Sequence, residues 1–203
     1  CSSLSDAAQK TGSVNTIVRN SDGSFAGHNT DYYGLEYLIR SAGFDVSGAK
    51  VIILGNGGVS GTVRQLMNDR GASEVVTVSR KGEDNYENIS RHYDAEFVIN
   101  TTPVGMYPKE NTAPLHYLPH KTEYVFDAIY NPPVTATMRL ANPRKTATRD
   151  GLYMLVMQAA HAQTIWSGVT FEPASCETIL RRTYGKMAVK RLHEKHGKSN
   201  LVL

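Results

Sequence analysis

Apolar and polar positions along this chain follow two rhythms, with the change near residue 50. Residues 1–14 read as a helix that begins abruptly, with no capping residue or element ahead of it. NTIVRN-SDG-SFAGHN alternates with period two and predicts a hairpin with Asp22-Gly23 in the turn. A helix follows over about residues 32–42, with Thr30 or Asp31 placed to cap it. Beyond residue 50 the apolar runs become continuous. KVIILG, EVVTVS, EFVINT and YVFDAIY predict four buried strands, and KTATRD a possible fifth. GGVSGTVRQLMNDRG predicts a helix ending at Gly71, and VTATMRLAN a shorter one. This alternation argues for an α/β parallel sheet with helices on both faces. DGLYMLVMQAAHAQTIWSG is the longest apolar helix, with Trp166 packing near its end. A charged helix spans about residues 173–196.

Composition narrows the function classes. The chain has 203 residues, 40% hydrophobic and 20% charged, which is ordinary for a soluble globular protein. No apolar run approaches the length of a membrane helix, and CSSLSDAAQK lacks a signal-peptide layout. The net charge is only +3, and the basic C-terminal stretch lacks the interleaved aromatics of a single-strand binder. Neither a membrane nor a nucleic acid is expected as partner. Cys1 and Cys176 lie too far apart in sequence to suggest a disulfide framework or metal site, and no histidine cluster has metal-ligand spacing. No metal is expected, and the compartment is predicted to be the reducing cytoplasm.

The sharpest chemistry lies in GNGGVSG, set between a strand and a helix. Gly55 permits a tight turn, Gly57 lets backbone approach a pyrophosphate, and Gly58 and the next amides open a helix whose dipole favours an anion. Ser60 stands where the usual dinucleotide fingerprint has a third glycine. The second strand then ends in Ser79-Arg80-Lys81-Gly82. An NAD site would place a carboxylate there; two cations and a hydroxyl suit a 2′-phosphate instead, so the cofactor predicted is NADP. The plainer reading of that run is a solvated turn.

TGSVNTI (11–17), GHNTDYYG (27–34), GNGGVSG (55–61), SRKG (79–82), INTTPVGMYP (99–108), FDAIYNPPVT (126–135) and DGLYMLVMQAA (150–160) together resemble the shikimate dehydrogenase family. The order and spacing hold nearly to residue 171. Members of that family are two-lobed, bind NADP in a Rossmann-like lobe and interconvert 3-dehydroshikimate and shikimate by hydride transfer in aromatic amino-acid biosynthesis. The resemblance implies that Asn15 and Asp31 reach the substrate hydroxyls, with Tyr130 and Gln158 closing the pocket from the cofactor lobe. It places Gly55, Asn56, Gly57, Gly58, Val59, Ser79, Arg80 and Lys81 along the dinucleotide. Asn100, Thr101, Ala128, Gly151 and Met154 fall on its nicotinamide side. It further implies a division into the end of a substrate lobe (1–30), a cofactor domain (31–172), and a C-terminal helix and tail (173–203). Periodicity alone leaves Tyr130 open between core and ligand, and Asn15 and Asn100 open as turn formers bonding their own backbone.

The family's catalytic lysine belongs to an N-V-T-x-P-x-K motif preceding the segment that resembles residues 1–15; this sequence has no such run, nor the serine pair that holds the substrate carboxylate. In the family the lysine and the carboxylate matching Asp31 handle the hydroxyl proton. The 203 residues are therefore expected to bind cofactor with little turnover. A noncatalytic NADP-binding or regulatory module and a quinate-using relative are the alternatives. The closing KSNLVL resembles the opening strand of a shikimate kinase, which raises the expectation of a fused kinase. With no G-x-x-x-x-G-K-[ST] in the sequence, phosphoryl transfer by this chain is not expected.

Overall fold

The computed structural model describes residues 1–196. Its centre is a five-stranded sheet built by β4 (Lys50–Leu54), β5 (Glu74–Val78), β6 (Phe97–Asn100), β7 (Tyr124–Asp127) and β8 (Ala147–Arg149), in the order β5-β4-β6-β7-β8 and parallel throughout. Period-two geometry splits the apolar run of β4 between two cores. Val51 and Ile53 join one cluster and Ile52 and Leu54 the other, all four at 0% exposure. A strand buried on both faces needs a continuous apolar run, which is why KVIIL carries no alternation.

The two faces are covered unequally. Helices α2 (Thr30–Ala42), α3 (Gly58–Asp69) and α5 (Leu152–Ser167) bring Leu35, Leu38, Val63, Leu66 and Met154 onto the Val51–Ile53 face. The opposite face is closed by a 3-10 turn at Ile89–His92, by Leu115 and by α4 (Ala136–Arg139), a single turn that is shorter than VTATMRLAN predicts. Helix α2 crosses α5 so closely that a Cβ at Gly34 would lie 2.5 Å from the Met154 carbonyl oxygen. Only glycine permits that approach.

A second, three-stranded sheet stands at the N-terminus. The hairpin is present as β2 (Thr16–Arg19) antiparallel to β3 (Phe25–His28), with Asp22 accepting from the Ser24 amide at 2.9 Å in the turn. The expectation of helix over residues 1–14 is corrected: β1 (Ser3–Leu4) pairs parallel to β3, and only α1 (Asp6–Thr11) is helical, capped by Ser5. A two-residue strand is made by its distant partner, so no local periodicity announces it. Trp166 is also not simply packed, being 53% exposed with its indole N–H donating to the Ile17 carbonyl at 3.1 Å. Helix α6 (Pro173–His196) lies against α5, with Tyr184 donating to Asp150 at 2.7 Å.

Candidate active site

The strand order creates the site. β4 has β5 on one side and β6 on the other, so the chain leaves these strands in opposite directions and opens a crevice at their carboxyl ends. The residues following β4, β5, β6 and β7 are Gly55, Ser79, Thr101 and Ala128, and all four line pockets there.

Gly55 turns the chain out of the sheet at φ +102°, its N–H bonded to Val78 O at 2.8 Å. A Cβ at that position would meet Thr102 Cγ2 at 2.9 Å and Thr101 Oγ1 at 3.0 Å, so glycine is required by conformation and by space. Gly57 is the N-cap of α3 and supplies no side-chain cap, which leaves the first amides of the helix, at Gly58 and Val59, for an anion. Open space surrounds the positions a Cβ would take at Gly57 and Gly58. Val59 itself packs against the core. Ser60 is 2% exposed and donates to the Gly55 carbonyl at 2.8 Å. It fastens the helix to the turn, so the departure from a third glycine preserves the close packing.

A cavity of about 560 Å³ runs from this turn past the end of β5, lined among others by Gly55, Asn56, Gly57, Ser79, Arg80 and Thr101. Six residues singled out from sequence thus share one wall; Lys81 does not line it. Tyr86, which sequence reasoning missed, does. Burial pushes its phenol above the ordinary value, and the neighbouring Arg80 draws it partly back.

A second cavity of about 380 Å³ adjoins through Thr101 and Thr102 and is lined also by Ala128, Ile129 and Tyr130. Tyr130 is 41% exposed there, which favours a ligand-facing position over core. Beneath the cavity, Asn100 is fully buried. Its amide donates to both oxygens of Asp127 at 3.0 and 3.1 Å, and its Oδ1 accepts from the Thr102 amide at 3.0 Å. The side chain is therefore spent on the fold and on its own turn, as the plainer reading of Asn100 has it. Gly151 is buried with its N–H on Ile129 O at 3.1 Å, and Met154, 7% exposed, lies in the core cluster under the crevice. Asp127 is the second residue missed. A lone carboxylate inside YVFDAIY was the available signal, since a buried charge must be hydrogen-bonded.

Asn15, Asp31 and Gln158 come together from the small sheet, α2 and α5. The organiser is Thr30, fully buried and expected from sequence only as a helix cap. Its hydroxyl lies 3.2 Å from both Asn15 Oδ1 and Gln158 Oε1, and its amide donates to Asn15 Oδ1 at 2.9 Å. Neither Thr30 nor Asp31 caps α2. Asn29 does, accepting from the Tyr32 amide at 3.1 Å while its Nδ2 reaches Ser13 Oγ at 2.7 Å. Asp31, in the first turn, is released from capping. Burial holds its carboxyl above the usual range, and a hydrogen bond with Asn15 lowers it in part. Gln158 is half-buried, its amide donating to Leu155 O at 3.0 Å. Tyr130 stands apart from this trio, in the 380 Å³ cavity. Among the described residues no cluster of three or more His, Cys, Asp or Glu could hold a metal, and no helix is long and apolar enough to cross a membrane.

No protein-family model matches the chain. Among curated proteins, a shikimate dehydrogenase (NADP(+)) of Clostridium perfringens strain SM101 is 33% identical over 190 residues, covering 87% of this chain and 70% of that protein. Among solved structures, a chorismate mutase/shikimate 5-dehydrogenase fusion protein from Clostridium acetobutylicum superposes with TM-score 0.86 at 30% identity, over 92% of this chain and 72% of that one. Shikimate 5-dehydrogenase from Thermus thermophilus, in complex with NADP(H) and shikimate, gives TM-score 0.76 at 26% identity, over 89% and 72%. The fusion seen among these structures is with a chorismate mutase and gives no support to a shikimate kinase; residues 198–203, on which that expectation rests, lie outside the described residues. A crevice at the strand switch, a glycine turn onto an open helix N-terminus and a relative this similar over most of both chains lead to one conclusion: the protein belongs to the shikimate dehydrogenase family.

Proposed function

We propose that the chain serves NADP(H)-dependent hydride transfer between 3-dehydroshikimate and shikimate. The observation that carries this reading is the 560 Å³ cavity in which Gly55, Asn56 and Gly57 meet Ser79 and Arg80. The uncapped start of α3 suits a pyrophosphate, and Arg80 suits a 2′-phosphate, with Lys81 adding charge nearby. Bound NADP supplies the hydride acceptor for shikimate oxidation, and NADPH the donor in reverse. The chain's own residues bind and orient. Asn15 and Gln158 offer amides to the ring hydroxyls, Tyr130 closes the cofactor side, and Asp31 takes up or returns the hydroxyl proton. Thr101, Ala128 and Gly151 wall the nicotinamide side through their backbones, with Asn100 and Met154 supporting them from below.

In this reading Asp31 needs a lysine partner of the N-V-T-x-P-x-K kind, so turnover by these 203 residues alone is weak. Residues 1–30 close a substrate lobe, 31–172 form the cofactor domain, and 173–203 are an appended helix and tail. Two free cysteines fit a reducing, cytoplasmic setting.

Titrating the purified chain with NADP and NAD, then adding shikimate or quinate, tests the proposal. NADP should bind far more tightly than NAD, with slow cofactor reduction favouring shikimate. Equal affinities would remove the 2′-phosphate assignment, and vigorous turnover would remove the lysine requirement. Tight NADP binding with no response to either acid would leave a noncatalytic NADP-binding module.

A further inference from the structure

The Asp127 carboxylate is fully buried at the carboxyl end of β7, and four hydrogen bonds tie it to three separate segments. Oδ1 accepts from Asn100 Nδ2 at 3.0 Å and from the Ile129 amide at 3.1 Å. Oδ2 accepts from the same Asn100 amide at 3.1 Å and from the Thr135 hydroxyl at 2.7 Å. Each contact passes the constraint onward. Asn100 Oδ1 accepts from the Thr102 amide and hydroxyl at 3.0 and 2.7 Å, and Thr102 Oγ1 then accepts from the Val104 amide at 3.2 Å. Thr135 Oγ1 accepts from the Met138 amide at 3.2 Å and so caps α4. On the other side Ile129 O accepts from the Gly151 amide at 3.1 Å, at the start of α5.

The segments so tied supply Thr101–Pro103 and Ala128–Asn131, most of the wall of the 380 Å³ cavity; 101–104 also border the 560 Å³ cavity, whereas 128–131 do not. Neither Gly55–Gly57 nor Arg80 is bonded to this network. All four contacts to Asp127 come from donors, which is what an ionised carboxylate accepts. Burial nonetheless raises its pKa, with Thr135 and Asn100 the largest opposing influences. Placing such a group inside a strand is costly unless it secures something that apolar packing would not.

We propose that Asp127 is a positioning residue, whose carboxylate sets the turns after β6 and β7 against each other and so shapes the wall facing the nicotinamide half of the dinucleotide far more than the glycine turn and Arg80 that hold the adenine half. This rests on the NADP reading above for its ligand, though not for its geometry.

The test uses the full chain with Asp127→Asn, which presents an amide where donors converge. Thr135→Val removes one of the four bonds should the first variant fold poorly, and Thr135→Ser restores the hydroxyl. Amide exchange reads the geometry without nucleotide. Segments 100–107 and 128–135 should exchange about tenfold faster in Asp127→Asn, and less so in Thr135→Val, with 55–66 within about twofold of wild type and Thr135→Ser close to it. Binding reads the consequence. Affinity for NADP should fall about tenfold while that for 2′,5′-ADP, which lacks the nicotinamide half, stays within about twofold. Equal loss for both ligands, or uniform acceleration of all three segments, would make Asp127 a general stabiliser and overturn the proposal. No change in either would overturn it too. A wild-type chain that binds neither ligand defeats the NADP reading, and the exchange pattern then decides Asp127 by itself.

Discussion

Two asparagine–aspartate pairs, Asn100–Asp127 and Asn15–Asp31, use the same chemistry for different ends. In both, burial raises the carboxyl and the asparagine amide lowers it again. Asn100 and Asp127 are each 0% exposed, and their donors and acceptors are consumed by neighbouring backbone and hydroxyls. Asn15 is exposed and Asp31 only half-buried, so this pair stays open to solvent even though Asn15 Oδ1 accepts from the Thr30 amide and hydroxyl. The buried pair can serve only the shape of the protein; the open pair is available to a substrate. Residue types are alike in the two cases, and access to solvent decides the role.

Breaking the buried pair should have the largest effect. Asp127→Ala strands the Ile129 amide and the Thr135 hydroxyl and leaves Asn100 Nδ2 only its Val104 carbonyl, and should cost about 3–4 kcal/mol in urea unfolding. A loss under about 1 kcal/mol would mean that water replaces the carboxylate and that the pair is not the rigid member of the comparison. Next comes Arg80→Asp, which should weaken NADP by about 10- to 100-fold and leave NAD nearly unchanged in a binding titration. Parallel losses would show that the crevice does not read a 2′-phosphate. Thr30→Val removes the hydroxyl between Asn15 and Gln158 and should cost about 1–2 kcal/mol, less than the Asp127 change because Asn15 can turn to water. Matching costs would erase the distinction between the two pairs.

The smallest effect sharpens the comparison most. Asn15→Leu deletes the hydrogen bond that lowers the Asp31 pKa, leaving burial, which raises it, unopposed. The carboxyl should then take its proton at higher pH than in the parent chain, a shift readable by carbon NMR titration of the side chain. Since the ionised form is the one that accepts a hydroxyl proton, the window in which Asp31 can act as base should retreat upward in pH. A downward movement would show that Asn15 does not steady the charge.

The central sheet was legible because continuous apolar runs such as KVIIL have one comfortable fate in water, and the glycine turn was legible because Gly55 does what side chains forbid. The same holds for the hairpin, whose turn chemistry is local. β1 was not legible, since two residues become a strand only against β3. Nor was the cap of α2, where Asn29, Thr30 and Asp31 are chemically similar candidates and the fold selects Asn29 by holding it against Ser13 and Thr11. Sequence by itself determined the longer elements, the phosphate turn and the cation beside it, because these depend on contacts a few residues long. Only the tertiary structure decided which polar side chains remain free, since Thr30 and Asp127 acquire their roles from partners up to 128 and 27 residues away, and desolvation is a property of the packed interior.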